Sequence, residues 1–215
     1  MTALPAVILD CDGLLVDTEA AWRAATVEVF PGSDAHLAGA SVGQLVSLHT
    51  NGSVGERERL TDEFTTALLA HMADLARPLP GAAALLERLQ GRPHAIASNA
   101  PREVVARALT CLGEGAAGVD VVGLAPPFRP KPEPDLHLEA CRLVKSSPAD
   151  AIAFEDSIFG AKAARAAGLW VVGVGDEPGL HSYTDTLLPN LEDARVTELL
   201  DLLPHSRPTL IRKES

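Results

Sequence analysis

Hydrophobic positions along this chain follow two periods that alternate. Short, mostly apolar runs stand at Ala6–Leu9, 94–97, Asp120–Gly123, 151–154 and Trp170–Val174, with a weaker one at Thr186–Leu188. Runs of this length between turn residues suit strands buried on both faces. Between them the period lengthens to that of a helix. Residues 82–90 put Leu85, Leu86 and Leu89 on one side, and 103–112 do the same with Val104, Val105, Ala108, Leu109 and Leu112. Pro134-Asp135 opens a helix to about residue 144. Ser157 caps another that Gly168 stops, and a last one spans about 191–203. Strands alternating with helices predict an α/β fold, a Rossmann-like parallel sheet covered by helices on both faces.

Residues 18–78 break the alternation. They hold three helical stretches, near 19–30, 41–49 and 55–75, and no convincing strand. Pro31-Gly32-Ser33-Asp34 and Thr50-Asn51-Gly52-Ser53 read as the turns between them. The expected organisation is a core made of 1–17 and 79–215 with a small helical cap domain, 18–78, inserted after the first strand. The tail after Pro204 is polar and expected to fray.

Charge narrows the partners. A net charge of -11 opposes nucleic acid and anionic membranes, which need clustered Lys and Arg. No apolar run is long enough to span a bilayer, and residues 1–6 lack the basic start of a secretory signal. Cys11, Cys111 and Cys141 are widely spaced, without a C-x-x-C, so neither a disulfide framework nor a zinc site is indicated and a reducing cytoplasm fits. Cys11 reads as a small packing residue at a strand end, with a redox-sensitive thiol as the alternative. The expected partner is a small phosphorylated metabolite, bound by a monomer.

The candidate chemistry lies at four predicted strand ends, where ligands bind in open parallel sheets. Asp10-Cys11-Asp12-Gly13 offers two carboxylates at i and i+2, one able to attack phosphorus and one able to shuttle a proton. Ser98-Asn99 precedes a helix start and suits a phosphate cradle, or plain N-capping. Lys131 is the first lysine of the chain and sits on a Pro-stiffened loop, Pro130-Lys131-Pro132-Glu133-Pro134, a point charge on a rigid mount. Glu155-Asp156-Ser157 follows an apolar run. Acids there repel other acids unless a cation intervenes, and hard oxygen ligands suit Mg²⁺. Each segment alone has a bland reading as a turn, a cap or a solvated loop.

Together, in this order, they resemble the haloacid dehalogenase superfamily in its β-phosphoglucomutase-like and sugar-phosphatase branch. Asp10-Cys11-Asp12-Gly13-Leu14-Leu15-Val16-Asp17-Thr18-Glu19 matches the first motif and Ser98-Asn99 the second. Lys131-Pro132-x-Pro134-Asp135 matches the third, and Phe154-Glu155-Asp156-Ser157 with Gly160 and Ala163-Ala164 the fourth. The resemblance implies a Mg²⁺-dependent phosphatase that works through an aspartyl-phosphate on Asp10, with Asp12 as acid and base. It implies Mg²⁺ on the Asp10 carboxylate, the Asp12 backbone carbonyl and Asp156, with Glu155 acting through water. Ser98, Asn99 and Lys131 would hold the phosphoryl oxygens. Trp22, Gln44 and His49 are candidates for reaching the substrate; Trp22 also reads as core of the insert, and the other histidines carry no metal-ligand spacing.

Departures from related activities favour hydrolysis. Asp12 is present where dehalogenases replace it. Residues 18–78 contain no lysine for a phosphonatase Schiff base. A sugar-phosphate mutase, the alternative reading, carries an arginine where this chain has Val42 and a histidine where it has Trp22. A metabolite-binding relic without activity would have lost a catalytic residue, and none is missing.

Overall fold

The structure is a computed structural model and describes residues 5–33 and 39–202. The expectations for the polar tail after Pro204, for Asp34 and for His36 and His205 fall outside the described residues. In chain order, β1 (Ala6–Leu9) and the two-residue β2 (Val16–Asp17) lead into α1 (Glu19–Val29), α2 (Val42–His49) and α3 (Val54–Leu75). Then come β3 (Arg77–Pro78), α4 (Ala82–Leu89), β4 (His94–Ser98), α5 (Arg102–Leu109) and β5 (Asp120–Gly123). The chain closes with α6 (Asp135–Leu143), β6 (Ala151–Glu155), α7 (Ile158–Ala167), β7 (Trp170–Val174), β8 (Thr186–Leu188) and α8 (Arg195–Leu202).

Six strands form one parallel sheet in the order β5-β4-β1-β6-β7-β8. The order reverses beside β1, which pairs with β4 on one side (Leu9 opposite Ile96) and β6 on the other (Leu9 opposite Phe154). Successive side chains point to opposite faces, so each strand feeds two cores. Val7, Leu9, Ile96, Ile152, Phe154 and Val172 pack with α4, α5, α8 and the inserted helices. Ala6, Ile8, Ala95, Ala97, Ala151, Ala153 and Val171 meet α6 and α7 on the other side, where the helices contribute Ala140, Ala161, Ala164 and Ala167. The small side chains of this second face let α6 and α7 lie close to the strands.

The helical insert runs from Glu19 to Leu75, and its buried side chains join the cluster on the first face of the sheet. Fully buried Phe64 is flanked by Trp22, at 5.5 Å between ring centroids, and by Phe30, at 6.2 Å. Ser41 and Gln44 close a capping box at the start of α2, and Ser53 caps α3. Three expectations need correction. Residues 16–17 and 77–78, where no strand was expected, pair as an antiparallel ribbon that carries both chain crossings to the insert; two residues containing a proline leave no period to read. The helix expected over 103–112 ends at Leu109 in a 3₁₀ segment, Thr110–Ala116, in which Gly113 takes φ 68°. The final helix starts at Arg195 instead of 191 because Asn190 and Asp193 turn their side chains onto the backbone N–H groups of Glu192 and Arg195, holding a turn in place of helix.

Replacing Phe64 by alanine should lower the urea midpoint by the equivalent of about 3–5 kcal/mol, the usual cost of emptying a buried phenyl site. A loss under about 1 kcal/mol in denaturant titration would show that the insert contributes no cooperative core.

Candidate active site

All the sequence-predicted core residues gather at the carboxyl edge of the sheet. Asp10 leaves β1 with its N–H donated to Phe154 of β6 at 3.0 Å. The chain then turns sharply. The Cys11 carbonyl accepts from Leu15 and Val16, and the Gly13 N–H donates to Val16. Gly13 adopts φ +82°, and a Cβ there would collide with the Asp156 carboxylate, so this position needs glycine on two counts. The turn brings Asp12 under Ser98 at the end of β4, whose hydroxyl donates to Asp12 Oδ2 at 3.2 Å.

Lys131 comes from the loop between β5 and α6. Its side chain is 2% exposed. Nζ lies 3.0 Å from Asp10 Oδ1 and 2.8 and 3.1 Å from the two oxygens of Glu155. Burial alone would push this ammonium down, but the Asp10 and Glu155 carboxylates outweigh it and hold the pKa above the ordinary lysine value. The loop is pinned at two points. Arg129 makes a forked ion pair with Asp135 and a second pair with Glu133. Asn99 accepts from the Lys131 N–H at 2.7 Å and donates to the carbonyls of Lys131, at 3.4 Å, and Gly39, at 2.7 Å.

That arrangement gives Asn99 a structural role beside the one expected of it. Both ends of its amide are committed to backbone, so to hold a phosphoryl oxygen the side chain would have to give up those bonds. It acts as a staple between the Lys131 loop and the insert. Asn99 lines the cavity together with Ser98 and Lys131.

The remaining carboxylates carry an electrostatic conflict. Oxygens of Asp10, Glu155 and Asp156 all lie within 4.8 Å of one another. Burial pushes Asp10 up to about 7, with Lys131 pulling back and Glu155 and Asp12 adding to the rise. Asp156 is pushed well above the carboxylate range by burial and by Asp10. Burial also raises Asp12, against the Thr18, Ser98 and Trp22 side chains. Buried Asp12 Oδ1 and Asp156 Oδ1 have no hydrogen-bond partner. One lysine does not balance this charge. A hard divalent cation fits the donor set, because all the donors are oxygens and two of them are orphaned. Glu155 is the exception: burial would raise it, yet Lys131 and His137 hold it below its ordinary value, and its oxygens already serve both partners.

A cavity of about 370 Å³ opens over these groups. Besides Asp10, Asp12, Ser98, Lys131 and Asp156, its described lining includes Asp17, Thr18, Trp22 and Ala40 from the insert side and Leu79 from the return crossing. Of the three candidates for reaching the substrate, Trp22 lines the cavity. Gln44 and His49 do not: Gln44 completes the capping box, and His49 stacks on Phe30 at 4.1 Å while bonding Leu45 and Ser33. Cys11 is buried, and burial with the Asp12 and Asp10 charges pushes its thiol well above the ordinary value. Its full burial fits the packing role.

Sequence reasoning passed over His137, which sits on α6 with Nε2 2.7 Å from Glu155 Oε1. One signal was available: His137, Ala140 and Cys141 share one buried stripe, and a histidine on an otherwise apolar helix face calls for a partner.

This chain belongs to the haloacid dehalogenase-like hydrolase family, whose sequence profile matches residues 4–168. It is 29% identical over 205 residues to the validoxylamine A 7'-phosphate phosphatase of Streptomyces hygroscopicus subsp. limoneus, covering 87% of this chain and 94% of that one. It is 35% identical over 144 residues to the bifunctional riboflavin kinase/FMN phosphatase of Arabidopsis thaliana, covering 63% of this chain and 38% of that longer protein. Among solved structures, β-phosphoglucomutase from Clostridium difficile superposes with a TM-score of 0.77 at 20% identity, over 93% of this chain and 98% of that one, a likeness of fold.

Replacing Asn99 by alanine should cost roughly 1–3 kcal/mol of stability, since the Lys131 N–H and the Gly39 carbonyl lose a buried partner. Thermal unfolding measures this; an unchanged midpoint would remove the staple role.

Proposed function

We propose that this protein is a Mg²⁺-dependent phosphatase that hydrolyses a small phosphorylated metabolite, a sugar or sugar-alcohol phosphate, through an aspartyl-phosphate on Asp10. The observation that carries the reading is Asp10 itself: a buried carboxylate at a strand end, with one oxygen fixed by Lys131 at 3.0 Å and a second acid, Asp12, two residues on. Phosphoryl transfer needs alignment and charge neutralisation more than covalent help, and this site supplies both.

On this reading an Asp10 oxygen attacks phosphorus as the bond to the leaving oxygen breaks. Asp12, whose burial favours the acid form, gives its proton to that oxygen. Asp12 then takes a proton from water, whose oxygen attacks the same phosphorus, freeing Asp10 and orthophosphate. Lys131 and Ser98 hold phosphoryl oxygens, while Asn99 keeps Lys131 in place. Mg²⁺ would be held by the carboxylates of Asp10 and Asp156 and the backbone carbonyl of Asp12, with Glu155 acting through water, and would supply positive charge against the phosphoryl oxygens.

Residues 18–78 serve as a cap domain over the core of 1–17 and 79–215, and the ribbon of β2 and β3 is its hinge. Closure would exclude water from the charged site. The relatives above, phosphatases of validoxylamine A 7'-phosphate and of FMN, support the phosphatase class and leave the leaving group open.

Isomerisation is disfavoured by the cations of the insert. A mutase must clamp a second phosphate there. Val42 is buried in the insert core. Arg23 pairs with Glu19 and Arg59 with Glu63, while Arg57 and Arg77 donate to backbone carbonyls. No arginine is among the described lining residues of the cavity.

Phosphate release from a panel of sugar and polyol phosphates should require Mg²⁺ and stop in EDTA. Asp10→Asn should lower kcat by about 10⁴ or more, and Asp12→Asn by about 10²–10⁴ while leaving metal binding intact. Near-normal rates in either variant contradict the role given to that residue. With β-glucose 1-phosphate, a bisphosphate primer and Mg²⁺, phosphorus NMR should show orthophosphate accumulating; glucose 6-phosphate forming faster would place the chain among the mutases.

A further inference from the structure

His137 is the buried polar group at the site for which the proposed reaction has no use. It is 0% exposed and lies in the first turn of α6 on the stripe that also carries Leu136, Ala140 and Cys141. An apolar side chain there would extend the alanine-rich core without any polar atom to satisfy. The histidine instead keeps Nδ1 buried with no hydrogen-bond partner, a destabilising feature in itself.

What it does make is one short bond to Glu155, with Nε2 2.7 Å from Oε1. The carboxylate can only accept, so Nε2 carries the proton. A second proton on Nδ1 would be a buried donor without a partner, so the ring is a neutral donor of fixed tautomer. Burial is also the leading cause that holds its pKa below the ordinary value, against the pull of Glu155.

Glu155 is thereby fixed from three directions. Lys131 Nζ contacts both of its oxygens, and His137 takes Oε1. Gly160 leaves room for Oε2, since a Cβ on that residue would collide with it. Remove the imidazole and the carboxylate is free to swing on its stem, carrying with it the ammonium that it shares with Asp10.

We propose that His137 is a positioning residue for catalysis: through Glu155 it aims the Lys131 ammonium at the phosphoryl group beside Asp10. The proposal rests on the phosphatase reading above. It assigns His137 no contact with substrate and no proton transfer.

Two variants separate aim from packing. His137→Phe fills the space without a donor; His137→Gln keeps a side-chain N–H of similar reach. In the Mg²⁺-loaded protein, His137→Phe should weaken binding of inorganic phosphate, measured by calorimetry, and raise KM for a phosphate ester by roughly 10–100-fold, the usual range for residues that orient a site through a second residue. His137→Gln should recover most of both. Equal losses in the two variants, or unchanged phosphate affinity in a folded His137→Phe protein, overturn the proposal. Should His137→Phe not fold, nitrogen NMR of the wild-type imidazole decides. The expected result is a neutral ring protonated on Nε2 whose N–H signal moves when phosphate is added. A ring protonated on Nδ1, or a signal indifferent to phosphate, overturns it. The imidazole's protonation is read without turnover, so a wild-type protein that hydrolyses no phosphate ester would sink the parent function and still show whether His137 donates to Glu155.

Discussion

The constraint on which the molecule turns is the burial of one ammonium ion. Lys131 is almost wholly buried and shares its charge between Asp10 and Glu155. Taking such ions out of water costs several kcal/mol each unless geometry and hydrogen bonds are close to ideal. The end of β1, the end of β6 and the loop after β5 must therefore meet within about a hydrogen-bond length. The strand order delivers two of the three, because β6 pairs directly with β1. The loop has to cross from beyond β4 to provide the third, and it arrives stiffened by proline, by the Arg129–Asp135 fork and by the Asn99 staple. A flexible loop would lose much of the attraction to the entropy of ordering a long side chain.

Once the lysine is fixed, the acids divide by environment into distinct tasks. Glu155 sits behind the ammonium with two donors on it and stays ionised. Asp10 lies on the open side of the same ammonium and is poised near neutrality. Asp12 and Asp156 each keep a buried oxygen unpaired. Similar side chains are pushed in opposite directions by what surrounds them, the usual sign of a site built for chemistry and not for stability. The alanine-rich second face of the sheet belongs to this design, because it lets α6 bring His137 close enough to β6 to bond Glu155.

The parts legible in the sequence were those set by local rules. The six sheet strands could be read from their apolar runs, and the caps at Ser157 and Gly168 from residue type, because period and capping depend on neighbours in the chain. The assembly of Asp10, Asp12, Ser98, Lys131 and Asp156 on one edge followed from the rule that parallel strands present their carboxyl ends together. What escaped depended on contacts across the fold. The ribbon of Val16–Asp17 with Arg77–Pro78 is too short to have a pattern. Asn99 carries the motif's chemistry but spends it on backbone 32 residues away, which spacing does not reveal. His49 and Gln44 have polar side chains of the right type in the right segment, and local partners within the insert consume them. His137 was passed over for the opposite reason: its partner lies 18 residues further along the chain.

Asn99 also joins two things that could have been independent. One amide hydrogen goes to the Gly39 carbonyl in the insert, and the carbonyl of the same side chain takes the Lys131 N–H. The segment that forms the cavity roof and the loop that supplies its cation are thus held by one planar group, whose atoms cannot move separately. If the insert opens to admit substrate, the bond to Gly39 must stretch or break. The amide is then released on one side while it still holds Lys131 on the other. A donor left unpaired in a partly dry site favours reclosure, and closure restores the bond to Gly39 as it removes water. On the proposed reading, the residue that mounts the lysine therefore also favours the closed insert, while the lysine keeps its place in either state.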